Sequence, residues 1–118
     1  MPHQPAHLDP VFRALADPTR RAVLARLASG PAAVTALRAP HAMALPSFLQ
    51  HLGVLQRAGL VRSTKAGRVR TYELAPQPLR AAEAWMAQQR GLWERRLDQL
   101  DRHLERMHAA ARTRKDTR

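Results

Sequence analysis

Residues 45–74 read LPSFLQHLGVLQRAGLVRSTKAGRVRTYEL, and the change of period inside this stretch decides the fold. In its first half Phe48, Leu52 and Leu55 recur at helical spacing, with Leu49 and Val54 beside them, so one face of a helix is apolar. Pro46 suits the first turn, where a missing N–H costs nothing. Gly59 predicts the stop, because only glycine takes the left-handed position after a helix without steric cost, and Leu60 then folds back on Leu55. In the second half, residues 60–64 and 69–74 carry β-branched and aromatic residues, which predicts two strands. Lys65-Ala66-Gly67 suits a three-residue loop, a type I turn closed by a left-handed glycine. A lone hairpin is marginal in water, so it must lean on helices.

The polar residues of this stretch say what it meets. Ser47, Gln50, His51 and Gln56 lie between the apolar positions of the helix, and no Asp or Glu occurs from Pro18 to Tyr72. Arg62, Lys65, Arg68 and Arg70 cluster on the hairpin. Charge protects an exposed edge strand from aggregation, but four cations beside an acid-free helix exceed that need. The whole chain of 118 residues, one domain by length, carries 20 Lys+Arg against 9 Asp+Glu, a net charge of +11. Such a field favours nucleic acid or an anionic membrane surface. Residues 1–75 hold ten bases and three acids, and residues 76–118 hold ten and six, so the excess is greatest where the helix and hairpin lie. The reading is therefore a recognition helix followed by a β-wing, held against double-stranded DNA.

Other classes fit less well. There is no cysteine, hence no disulfide, thiolate metal site or cysteine nucleophile. A glycine-rich phosphate loop and a nucleophile–base constellation are both missing, so neither an enzyme nor a cofactor is expected. No apolar run approaches the roughly 20 residues of a membrane span, and the amino end lacks the apolar core of a signal peptide, so a soluble cytoplasmic protein is expected. Two alternatives share some of these features. A non-specific nucleic-acid-packaging protein would have the charge, and a protein-interaction or adaptor module would use the carboxy-terminal helix.

Taken in order, residues 1–8 are polar, proline-bearing and expected to be flexible. Asp9-Pro10 predicts the start of a first helix with Val11, Phe12, Leu15 and Ala16 on its apolar face. Asp17-Pro18 repeats that signal for a second, with Val23, Leu24, Leu27 and Ala28 buried and Arg20, Arg21 and Arg26 on the wet side. A short third helix fits residues 33–37, and Pro40 ends it. Residues 41–44 form the turn into the recognition helix, which completes a helix-turn-helix arrangement. After Pro76-Gln77-Pro78 a long helix is expected over about 79–110. On it Met86, Trp93, Leu97, Leu100, Leu104 and Met107 follow alternating three- and four-residue steps, a heptad seam. Glu83 and Arg90 interrupt its earlier part, and Gly91 is a candidate kink. An apolar stripe that outlasts its own domain usually finds a partner, so a homodimer is expected through this helix, with Phe12 of the first helix beside it. The alternative is that the stripe packs on the second helix. Residues 112–118 read as a disordered basic tail. The expected fold is mainly α with a small β-hairpin (α+β), in the order α-α-α-α-β-β-α over residues 9–111.

Asp17-Pro18-Thr19-Arg20-Arg21 opening a helix, then Leu49-Gln50-His51-Leu52 and Leu55-Gln56-Arg57-Ala58-Gly59-Leu60-Val61, then Gly67-Arg68 and Tyr72, form a combination. With it the chain resembles the ArsR/SmtB family of bacterial winged-helix repressors. The resemblance covers about residues 10–108. It implies a winged helix-turn-helix dimer that binds a palindromic operator, often its own, through the helix at 45–57, with a long closing helix at the dimer interface. Metal-sensing relatives carry a Cys-x-Cys pair in the third helix, where Ala33 and Thr35 stand here. A second family metal site uses Asp-x-His and further ligands on the closing helices. Asp101-Arg102-His103 matches its first half and His108 is a stray second ligand, but the remaining spacing departs from the pattern. The nearer resemblance is to metal-free members, and no effector is specified.

Contacts follow as expectations. Gln50 presents a bidentate amide edge to adenine. Ser47 and His51 bond phosphate oxygens or a base edge. The alternative for both is ordinary helix polarity, with His51 bonded within the core. Leu49 stands where relatives often have serine, and either touches a thymine methyl or lies buried. Arg68 and Arg70 meet phosphates or enter the minor groove, with Arg62 and Lys65 beside them. Thr35 holds a phosphate from the third helix.

Overall fold

A computed structural model describes residues 7–116. Most of the segment expected to be flexible, 1–6, and the last two residues of the expected tail lie outside it. Five helices and three strands follow in the order α1 (Leu8–Leu15), α2 (Pro18–Leu27), β1 (Ala32–Ala33), α3 (Val34–Arg38), α4 (Leu45–Arg57), β2 (Val61–Ala66), β3 (Val69–Leu74) and α5 (Gln77–Asp116). The contacts divide the chain into two units, Met1–Glu83 and Ala84–Arg118.

In the first unit, capping chemistry sets the helix ends. Asp17 is extended, and its carboxylate accepts the Arg20 backbone N–H at 3.0 Å, with Pro18 at the first helical position of α2. The parallel signal at Asp9-Pro10 fails. α1 begins at Leu8 after His7, which makes no side-chain cap bond, so Asp9 falls inside the first turn. The reason is packing: Leu8 is buried with Val11 and Ala14, and the helix extends back to seat it. Ala16 and Ala28, expected on buried faces, are both exposed.

Helix α4 runs over the expected residues. Phe48, Leu52 and Leu55 are fully buried, each contributing roughly 1.5–3 kcal/mol by leaving water, and together they fix the rotation of the helix about its axis. At its end the Leu60 N–H bonds the Leu55 carbonyl and the Gly59 N–H bonds the Gln56 carbonyl, both at 3.0 Å, with Gly59 at φ +77°. This paired closure turns the chain sharply and buries Leu60 at the start of the hairpin.

The sheet corrects two expectations. It has three strands in the order β1-β3-β2, because Ala32 and Ala33 pair antiparallel with Tyr72 and Thr71. The hairpin therefore leans on a third strand as well as on helices α2, α3 and α4. Its loop has two residues rather than three, since pairing continues outward to Ala66↔Val69. Gly67 at φ +63° precedes Arg68, and no described non-glycine residue has positive φ, the pattern of a type II′ turn. At the base, the Ala75 N–H bonds the Leu60 carbonyl at 2.8 Å.

Helix α5 starts within the first unit, where Ala82 is buried, and continues unbroken through Gly91. It also extends past the expected end near 110, so residues 112–116 are helical rather than disordered. In the second unit Met86, Trp93, Leu97, Leu100, Leu104 and Met107 are all exposed, with Trp93 at 68%. Among the described residues no helix is long and apolar enough to cross a membrane.

Candidate nucleic-acid interface

The residues opposite the buried side of α4 are committed outward. Ser47, Leu49, Gln50, Gln56 and Arg57 are exposed, and Leu49 retains 43% of its surface. The turn before them is held from both ends. Arg38 Nε donates to the Met43 carbonyl at 3.0 Å, and the His41 ring stacks on Phe48 with centroids 5.6 Å apart. Thr35 is exposed in the first turn of α3. Arg57 was not among the expected contacts, yet it lies on the outward face with Gln50 and Gly53 at spacings of three and four. Its guanidinium folds back over Gly53, where an added Cβ would meet Nη1 at 3.1 Å. That helical spacing was the available signal.

His51 is half-buried rather than freely presented. Its Nδ1 lies 3.2 Å from Arg20 Nη1 and 3.6 Å from Asp17 Oδ2. Arg20, expected on the wet side of α2, turns inward instead. Its Nε donates to the Ala14 carbonyl at 2.8 Å and its Nη2 to the Arg13 carbonyl at 3.0 Å. These are carbonyls of the last turn of α1, at the negative end of the helix, and so draw in a cation; the Arg13 carbonyl also accepts the Ala16 N–H at 3.2 Å.

The bond from the Arg20 backbone N–H holds the Asp17 carboxyl below its ordinary value of 3.8. Partial desolvation opposes this, and the nearby His51 and Arg20 add to it. A depressed carboxylate stabilises the fold above its unfolded pKa and loses that contribution as pH falls through the folded value. Asp17→Asn, which keeps a capping oxygen, is therefore expected to be less stable than wild type at pH 7 and to close that gap below about pH 4. Urea titrations across pH 2.5–7 (roughly the carboxylate range) check this, and a gap that stays constant contradicts it.

On the wing, alternation separates the four cations. Lys65 and Arg70 stand opposite each other on the face shared by Val61, Ser63 and Tyr72, and Arg70 Nη1 donates to Ser63 Oγ at 2.9 Å. Arg68 occupies the loop. Arg62 faces the other side, paired with Glu73 (Nε–Oε1 3.7 Å), so it does not join the cluster the sequence suggested. Like charges directly opposite are destabilising, and an anion between Lys65 and Arg70 would remove that cost.

Comparison with known proteins places this geometry. A family model described as a helix-turn-helix domain matches residues 15–64. The crystal structure of an ArsR family transcriptional regulator, RHA00566, is similar at 52% identity and a TM-score of 0.74, covering 80% of this chain and 97% of that one. The chain belongs to the ArsR family of transcriptional regulators. It is also similar to the HTH-type transcriptional regulator Rv2034 of Mycobacterium tuberculosis, at 47% identity over 62% of this chain and 68% of that protein. The transcriptional repressor SdpR of Bacillus subtilis is 30% identical over 64% of this chain and 84% of its own length. A homodimeric winged helix-turn-helix DNA-binding domain, Mb0332 from Mycobacterium bovis, is 26% identical with a TM-score of 0.57, covering 78% and 94%. This ArsR family chain has no cysteine. Asp101, His103 and His108 stand exposed on α5, and among the described residues no three His, Asp or Glu side chains converge as metal ligands.

Proposed function

We propose that two copies of the chain form a repressor that binds a pseudo-palindromic operator, each inserting α4 into a major groove and laying its wing beside it. The observation that carries this reading is the outward, carboxylate-free face of α4, with Ser47 and Gln50 exposed and Lys65 opposing Arg70 on the adjacent wing. Gln50 reads adenine, Leu49 meets a thymine methyl, and Thr35, Ser47, Arg57, Lys65, Arg68 and Arg70 meet the backbone. One helix reads too few base pairs for a unique site, whereas a two-fold dimer sets two helices about 34 Å apart in successive grooves. The exposed seam on α5 supports pairing of two copies. The homodimeric state of the Mb0332 domain and the repressor role of SdpR support it by similarity.

A gel shift with the duplex upstream of the protein's own gene, with and without excess bulk DNA, tests the reading. Site-specific binding survives the competitor, and equal competition by bulk DNA refutes it. Arg68→Ala is expected to lower the slope of log affinity against log salt by roughly one unit per subunit. An unchanged slope, measured by fluorescence anisotropy between 50 and 200 mM salt (roughly the range over which such contacts weaken), would remove the wing from the interface.

A further inference from the structure

We infer that Arg20 is a positioning residue for the reading helix, fixing the proton of neutral His51 on Nε2 so that the ring offers the DNA backbone a donor. The inference rests on the DNA reading above and deepens it.

A guanidinium has donors and no acceptor. The 3.2 Å contact between Arg20 Nη1 and His51 Nδ1 is therefore a hydrogen bond only when Nδ1 carries a lone pair, which places the proton of the neutral ring on Nε2. Asp17 Oδ2 would favour the opposite tautomer, but at 3.6 Å it lies beyond hydrogen-bond distance, and it already accepts the Arg20 backbone N–H at 3.0 Å. Arg20 is not free to swing away, because its Nε and Nη2 are spent on the Ala14 and Arg13 carbonyls. One guanidinium thus ties the end of α1 and the start of α2 to the middle of α4.

The other ring nitrogen is open. His51 Nε2 has no partner within the described chain. Among the described residues no buried side-chain nitrogen or oxygen lacks a hydrogen bond, so Nε2 reaches solvent. His51 lies one turn after Ser47, so the two side chains are neighbours on α4. A lone pair on Nε2 would repel a phosphate oxygen, whereas an N–H bonds it.

Long-range proton–nitrogen NMR on the imidazole rings of the wild-type protein, recorded without DNA and with the rings neutral, reads the tautomer directly. A single Nε2–H form is expected, and an Nδ1–H ring overturns the proposal without need of any variant. In Arg20→Ala the Nδ1–H form is expected to gain, drawn by Asp17. Against the operator duplex His51→Ala is expected to weaken binding about fivefold. In the Arg20→Ala background the same change is expected to weaken it less, and losses that multiply in the double variant overturn the coupling. Failure of the wild-type protein to bind any duplex refutes the DNA reading instead, and the ring spectrum, recorded without DNA, tells the two failures apart.

Discussion

Leu100→Glu is expected to leave each chain folded, halve the mass in solution and lower affinity for the palindromic duplex by at least about a hundredfold. Leu100 is 51% exposed in the single chain, so replacing it removes little that holds a subunit together. In a dimer the same position lies at the centre of the seam formed by Trp93, Leu97, Leu104 and Met107, and two glutamates would meet there out of water. The DNA effect follows from linkage rather than from any lost contact. Once one half-site is occupied, the second α4 binds at the effective concentration set by the dimer, typically worth 10²–10⁴ in affinity (an order-of-magnitude range). Sedimentation gives the mass, thermal melting the fold, and anisotropy on whole and half operators the affinity. Loss on the whole operator with none on the half-site is the expected signature. A wild-type protein that sediments as a monomer, or a variant that binds the full operator as tightly as wild type, contradicts the dimer.

What could be read before the structure follows from how local each signal is. The bounds of α4 were legible because Pro46, the apolar period and Gly59 all act within a few residues. The cap at Asp17 was legible for the same reason. Strand β1 was not, since Ala32-Ala33 has no strand character of its own and forms because β3 offers it an edge. The loop length was misjudged although Gly67 does take the left-handed conformation. Register is set by which side chains reach the core, here Val61 and Tyr72, and turn chemistry has to follow it. Arg20 defeated the reading most clearly. An arginine on an amphipathic helix reads as solvated, and nothing local says that two carbonyls of the preceding helix and a histidine 31 positions later surround it. The end of α5 was less legible because the apolar seam stops at Met107. Ala109, Ala110 and Ala111 continue the helix on propensity, and the cations beyond them suit a helix carboxy terminus.

Phe48 and Leu49 put the separation of fold from interface to its sharpest test, because they are adjacent apolar residues with opposite assignments. Phe48 is 0% exposed and stacks with His41, so Phe48→Ala leaves a cavity under the recognition helix. The expected loss is about 3–5 kcal/mol, against a total stability of order 5–15 kcal/mol for a domain. At roughly 4–8 °C per kcal/mol for a unit of this size, the melting temperature should fall by about 15 °C or more. Leu49→Ala removes hydrocarbon from a side chain that is 43% exposed, and its stability should stay within about 0.5 kcal/mol of wild type. Its effect should fall on DNA instead, as a weakened preference for thymine at one position of each half-site. Calorimetry and binding to duplexes substituted base by base separate the two. A Leu49→Ala protein that melts many degrees lower would show that α4 is rotated from the orientation described, and the outward assignment of Ser47 and Gln50 would fall with it.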